Sequence, residues 1–372
     1  MHIVIPRADL KRLVDSAAKV VERRVTIPIL AMLRISAADG RVTVTGTDLD
    51  IEASAAADCE VRTAGTTTVD AQMLGAIVTK LPADAAVTLR LDGDRCHIAA
   101  GRAKFQAHSL PAEDYPEAAP VQPTATWRMP AARFGALVAP TLFAISTEET
   151  RYYLNGVFLH AHEGCLRAVA TDGHRLSLAE IPLPDGAAGL PDVIVPRKMA
   201  ELLVRRAGEA ADWSLAVSEA AIEVAADGWR LRSKLIDGTF PEYARVIPDP
   251  ARASLVCTVD RPLLAAVVDR LGAVMAERSR ATQLEFDGGT LRLSTRNPDA
   301  GTAEETIDVQ IEGEVATAVG FNGRYLGEIC GALTSPEIRI RLADAGSPAL
   351  ISAVGAAVDA PGQTLVLMPM RV

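Results

Sequence analysis

The chain of 372 residues is long enough for about two to four domains, each able to bury its own core, which excludes a stapled mini-protein. Hydrophobic residues make up 49% and charged residues 23%, which excludes a disordered chain, and an aromatic share of only 4% leaves the packing to aliphatic side chains. A formal charge of −9 excludes a protein that coats nucleic acid with a uniformly basic surface, although it leaves room for a local basic face.

In chain order, Leu10, Leu13, Val14, Ala17 and Val21 form the first apolar stripe at helical spacing. Next, MLRISAADGRVTVTGTD (32–48) alternates around Gly40 and predicts a hairpin. A second helix is expected over 70–81, then the strand AVTLRL. The proline-rich segment 116–125 reads as a linker. The same series then returns twice. Phe134, Leu137, Val138, Thr141 and Ile145 repeat the stripe after Pro130, GVFLHAHEGCLRAVATD repeats the hairpin at Gly164, and 197–207 and WSLAVS follow. After a second linker at 246–253, the stripe is Leu264, Val267, Val268, Leu271 and Met275, with Pro262 at its start. TQLEFDGGTLRLSTRN turns at Gly289, and 321–332 and IRIRL complete the third copy.

This threefold repeat predicts an α+β chain of three similar domains, at about 1–120, 121–250 and 251–372, each with two helices and antiparallel sheets. Sheets that run on from unit to unit leave the two ends of the chain available for pairing, and a head-to-tail contact of suitable angle closes a ring. The helices are locally basic. Over 1–24, Arg7, Lys11, Arg12, Lys19, Arg23 and Arg24 face Asp9, Asp15 and Glu22. In the second unit, Arg197, Lys198, Arg205 and Arg206 face Glu201, and in the third Arg261, Arg270, Arg278 and Arg280 face Asp269 and Glu277. Any one such cluster is a solvated face; recurrence at equivalent places fits a ring that holds duplex DNA by screened attraction to its phosphates, without reading bases.

Several segments in order, RYYLNGV, ATDGHRLS, VPRK, SKLIDGTFPEY and the terminal MPMRV, supported by TIPIL, GTDLDIE and SLPAEDYP, are similar to the β subunit family of bacterial DNA polymerase III, the sliding clamps. The resemblance covers essentially the whole chain. It implies half of a closed ring, a head-to-tail homodimer around duplex DNA, without sequence specificity or catalytic activity. Its partners would be the replicative polymerase α subunit, the clamp loader, and other polymerases and repair proteins that carry clamp-binding peptides.

By resemblance, the peptide-binding cleft comprises Leu154, Thr171, Gly173, His174, Arg175, Leu176, Pro241, Arg245, Val246 and Tyr325, with Val366, Leu367, Met368, Pro369 and Met370 from the C-terminal end. An apolar pocket with an Arg or His at its rim suits a peptide anchor, and methionine adapts to many partners. Arg24, Arg197 and Lys198 match the DNA-facing positions. Arg102, Lys104 and Phe105 at one end, with Ala273, Val274, Glu304 and Glu305 at the other, match the dimer contact. Ala273 and Val274 are smaller than the family's usual aliphatics there. At roughly 0.8 kcal/mol per buried methylene, the dimer would be weaker by up to a few kcal/mol.

The remaining motifs are quieter. Thr171-Asp172-Gly173-His174 holds the components of a triad but reads better as an Asp-Gly turn. His160 and His162 share a strand face without further ligands, so an outward-facing pair is expected rather than a metal site. Cys59, Cys96, Cys165, Cys257 and Cys330 form no C-x-x-C and read as buried thiols. No phosphate loop, dinucleotide fingerprint, zincin motif or nucleophile elbow is present, so no cofactor or metal is expected. The N-terminal residues lack a secretory pattern and no apolar run reaches membrane length, which predicts a cytoplasmic protein with no membrane partner. The competing readings are an enzyme on a repeated scaffold and a diverged member of the resembled family that keeps the fold but has lost partner binding, against which the intact pocket positions speak.

Overall fold

The computed structural model describes residues 1–22, 24–208, 212–275, 281–313, 317–355 and 360–371. Arg23, Glu277, Arg278, Arg280 and Val372, which entered the charge and motif readings above, lie outside the described residues. The chain forms two compact units: Met1–Met129 with Ala211–Leu235, and Pro130–Ala210 with Ile236–Val372.

Six α-helices stand among the described residues: α1 (Arg7–Ala17), α2 (Ala71–Lys80), α3 (Ala131–Val138), α4 (Arg197–Arg206), α5 (Arg261–Gly272) and α6 (Gly323–Ala332). They pack as α1 on α2, α3 on α4 and α5 on α6. Each stripe is buried but ends earlier than its spacing suggests. Leu10, Leu13, Val14 and Ala17 lie in the core, whereas Val21 is beyond the end of α1. In the second copy Pro140 supplies no amide to continue the α-helical ladder, so α3 gives way to a 3-10 turn over Ala139–Ala144 and Ile145 is extended. Met275 likewise follows α5 rather than belonging to it. Asp70, Asp260 and Asn322 cap α2, α5 and α6 by accepting hydrogen bonds from backbone amides of the first turn.

The three hairpins pair as expected, and in each both central turn residues have positive φ: Asp39 at 51° with Gly40 at 75°, Glu163 at 47° with Gly164 at 74°, and Gly288 at 54° with Gly289 at 96°. These are the turns whose twist matches that of the flanking strands. The sheets run on across the linkers. In the first unit Trp229–Lys234 pairs with Ile51–Asp58, joining strands of the first and second repeats into an eight-stranded sheet; a five-stranded sheet completes the unit. In the second unit Gly362–Leu367 pairs with Arg175–Pro182 inside a nine-stranded sheet, beside one of four strands.

Three cysteines are buried, as expected, and burial pushes the thiols of Cys96 up to about 11 and of Cys257 and Cys330 up to about 12, which leaves them protonated and inert. Cys59 and Cys165 are half-exposed, against expectation, because each stands at a strand margin. No described helix is long and apolar enough to cross a membrane.

Candidate functional site

The loop after strand Cys165–Thr171 is tied by its own side chains. Thr171 Oγ1 donates to the Arg175 carbonyl (2.7 Å) and accepts from the Gly173 amide (3.1 Å). Asp172 Oδ1 accepts from the amides of His174 (2.9 Å) and Arg175 (3.0 Å). The hydroxyl and carboxylate of the supposed triad are therefore spent on backbone geometry. Gly173 sits at φ 90°, a backbone conformation that favours glycine, and a Cβ there would lie 2.8 Å from Arg151 Nη1, the movable end of a long side chain.

The loop delivers Arg175 to the interior rather than to a rim. Its side chain is only 8% exposed, and its guanidinium donates to Asp172 Oδ2 (3.0 Å), to the Phe143 carbonyl (2.6 Å) and to Glu328. The guanidinium carbon lies 4.1 Å from the Tyr325 ring centroid and 5.0 Å from that of Phe143. Burial would raise the Glu328 carboxyl, but hydrogen bonds from Arg175 and Arg324 outweigh it and hold the group below the ordinary glutamate value. An arginine this fully engaged orients its neighbours and leaves little to offer a ligand.

The C-terminal strand forms the other wall. Arg175 pairs with Leu367 and Leu176 with Val366 across the sheet, and beyond the strand the Met368 amide donates to the His174 carbonyl (2.9 Å) and the Met370 amide to that of Gly320 (2.8 Å). Leu154, Leu176 and Val366 are buried in one cluster with Phe240 and Tyr243. Because strand residues alternate faces, Leu367 points away and joins the separate core around Leu326 and Ile340. Met368 is 37% and Val246 45% exposed. His174 is also exposed, and its ring stacks near Tyr325 at 6.3 Å. Thr171, Tyr325, Pro369 and Met370 are half-buried, while Pro241 and Arg245 are exposed, Arg245 being ion-paired to Glu242. The result is an apolar floor with adaptable side chains above it, suited to an aliphatic or aromatic anchor.

His160 corrects the outward-face expectation. It is buried, and its Nε2 lies 3.0 Å from Tyr243 Oη, within a stack that includes Phe158 at 4.5 Å. Strand alternation places His160 towards the layer contributed by Phe240 and Tyr243, a tertiary neighbour invisible in the spacing.

Of the DNA-facing candidates, Arg24 is exposed just after α1 in the first unit. In the second unit Arg197 opens α4 half-exposed, with Nη2 donating to the Ile145 carbonyl (2.6 Å), and Lys198 beside it is half-buried. Arg102, Lys104 and Phe105 lie on or beside Ala103–His108, an edge strand of the five-stranded sheet. Glu304 and Glu305 lie on Gly301–Asp308, an edge strand of the four-stranded sheet; Arg270 pairs with Glu305 and Arg292 approaches Glu304. Ala273 and Val274 follow the end of α5.

Three family models match in succession: DNA polymerase III beta subunit N-terminal domain over residues 1–119, central domain over 128–242 and C-terminal domain over 244–371. The chain belongs to the beta sliding clamp family. It is 43% identical to the beta sliding clamp of Caulobacter vibrioides and 34% identical to that of Pseudomonas putida, with 100% of each chain covered in both cases. Among solved structures it is similar to a sliding clamp from Bartonella birtlesii bound to griselimycin (39% identity, TM-score 0.95) and to the Caulobacter crescentus clamp (41%, TM-score 0.93), again over 100% of both chains.

Reading the sequence as a sliding clamp named the 171–176 loop and the 366–370 tail, which the structure brings side by side, but missed what holds Arg175. Glu328 carried a faint signal, four residues after Arg324 on α6, where their side chains pair at 2.7 Å. The Phe143 carbonyl carried none, since a backbone acceptor has no sequence mark.

Proposed function

We propose that two copies of this chain close head to tail into a ring around duplex DNA and hold the replicative polymerase to its template. The carrying observation is the full-length family match combined with two open strand edges of opposite charge, Arg102 and Lys104 on one and Glu304 and Glu305 on the other. Edge-to-edge pairing satisfies both backbones, Phe105 at 39% exposure supplies apolar area, and the charges fix the direction. The domains of this reading are 1–120, 121–250 and 251–372. Arg24, Arg197 and Lys198 face phosphates; Arg197, already held by a carbonyl, acts mainly through its charge.

On this reading the cleft around Leu154, Leu176, Val246 and Met368 takes short peptides from polymerases, the clamp loader and repair proteins in the cytoplasm. Binding of griselimycin by the Bartonella relative supports a ligand site in this fold. The chain itself performs no chemistry: its contribution is a topological tether that keeps the effective concentration of polymerase at the template high. The test is retention on nicked plasmid after loading with the cognate loader and ATP, at elevated salt. Loss only after a single cut that linearises the plasmid is the expected result; equal loss before and after cutting would mean ordinary surface binding and end the ring reading.

A further inference from the structure

The first unit repeats the hydrogen bonds that close the backbone of the cleft's loop. Thr47 Oγ1 donates to the Ile51 carbonyl (2.9 Å) and accepts from the Leu49 amide (3.0 Å). Asp48 Oδ1 accepts from the amides of Asp50 (3.0 Å) and Ile51 (2.7 Å). The Lys234 amide donates to the Asp50 carbonyl (2.9 Å), as Met368 does to His174, and Ser233 pairs with Ile51 as Leu367 pairs with Arg175. Leu49, at φ 80°, thus occupies the place of Gly173 at φ 90°. A leucine in this conformation is strained, and its side chain is nonetheless 46% exposed.

Beside this loop lies a cavity of about 920 Å³, within the range of ligand pockets. Leu49, Ile51, Pro116, Pro120 and Val121 give it an apolar lining. Arg232 fixes the linker as one wall by donating to the carbonyls of Ala118 (2.9 Å) and Ala119 (3.0 Å) while paired with Glu223 (2.7 Å). The charged lining is otherwise Asp50, Glu52, Glu117 and Glu219 against Lys234; Lys234 pairs with Asp50 and Arg34 with Glu117, which leaves Glu52 and Glu219 as the carboxylates that set the sign. Where the cleft of the second unit presents His174 and Met368, this one presents Asp50 and Lys234, and its net charge is negative.

We infer that this cavity is a second docking site of the chain, for a short linear peptide with an aliphatic or aromatic anchor flanked by Lys or Arg. The inference rests on reading the 171–176 loop as part of a peptide cleft. The negative rim disfavours nucleic acid and acidic peptides and selects a basic flank by charge complementarity.

The test is methyl NMR on the full chain, labelled at Ile, Leu and Val, titrated with a panel of hexapeptides that place Leu or Phe between Lys or Arg, and with the same panel carrying Glu instead. Shifts at the methyls of Leu49, Ile51 and Val121 with the basic panel are expected, about tenfold tighter than with the acidic panel and converging as salt rises. They should persist in Met368→Ala with Pro369→Ala and vanish in Leu49→Gly, which removes the anchor contact and relieves the backbone. Shifts confined to Leu176 and Val366 would overturn the second site and leave the first cleft standing. Shifts at Leu49 and Ile51 alone would support the second site and count against the first. Silence at Leu49 and Ile51 across the panel, or equal binding of acidic and basic peptides, would overturn it.

Discussion

Replacing Glu328 with Gln keeps the shape of the side chain and removes the charge that Arg175 and Arg324 share. Arg175 is 8% exposed and Glu328 29%, so the pair is screened only in part, but Asp172 and the Phe143 carbonyl remain as acceptors. A hydrogen bond to a charged group contributes about 1.5–3 kcal/mol, and with the Gln amide still accepting weakly the expected loss is about 1–2 kcal/mol. Because the carboxyl is held below its ordinary value of 4.5, its contribution is complete above that value and disappears as pH falls through the lower folded value. The gap between the parent and Glu328→Gln should therefore be full at pH 7 and narrow below the ordinary glutamate range. Urea unfolding separates the effect by unit. Trp127, Trp213 and Trp229 all belong to the first unit, so tryptophan fluorescence should not change, while circular dichroism reports a weakened second unit. A gap that stays constant with pH, or a shift in the tryptophan transition alone, would refute the role assigned to Glu328.

Met368→Ala with Pro369→Ala should abolish binding of a cleft peptide in fluorescence polarisation while sedimentation shows an unchanged dimer. Gly173→Ala, at φ 90° and 2.8 Å from Arg151 Nη1, should destabilise the second unit by about 1–2 kcal/mol in urea, whereas Leu49→Gly at the equivalent place should stabilise the first or leave it unchanged. Burial holds the His160 imidazole below its ordinary value of 6.5, so the unfolded chain takes up a proton first and stability falls as pH drops below that value. His160→Phe should flatten that part of the pH profile in thermal melts.

The threefold series of helix, hairpin, helix and strand was legible in the sequence because period and turn chemistry are local. Leu10 and Leu13 or Leu264 and Val267 can satisfy their spacing only on a helix, and the paired positive φ values at Gly40, Gly164 and Gly289 are a glycine signature. Helix ends were less so, since Pro140 and the close of each stripe depend on what the next turn packs against. The loop and tail of the proposed cleft were named by resemblance, residue by residue, and what the structure adds is that they lie side by side.

What only the tertiary structure decided is which side of each wall a residue faces and who meets it there. Arg175 went inward because Glu328, Asp172 and the Phe143 carbonyl together offset its desolvation, and those partners lie up to 153 residues away in the chain. Leu367 turned from the cleft because its strand neighbour Val366 took the other face. The recurrence of one hydrogen-bonded loop in both units, with Leu49 where Gly173 stands, is likewise written in backbone angles and carbonyl partners, which local periodicity does not encode.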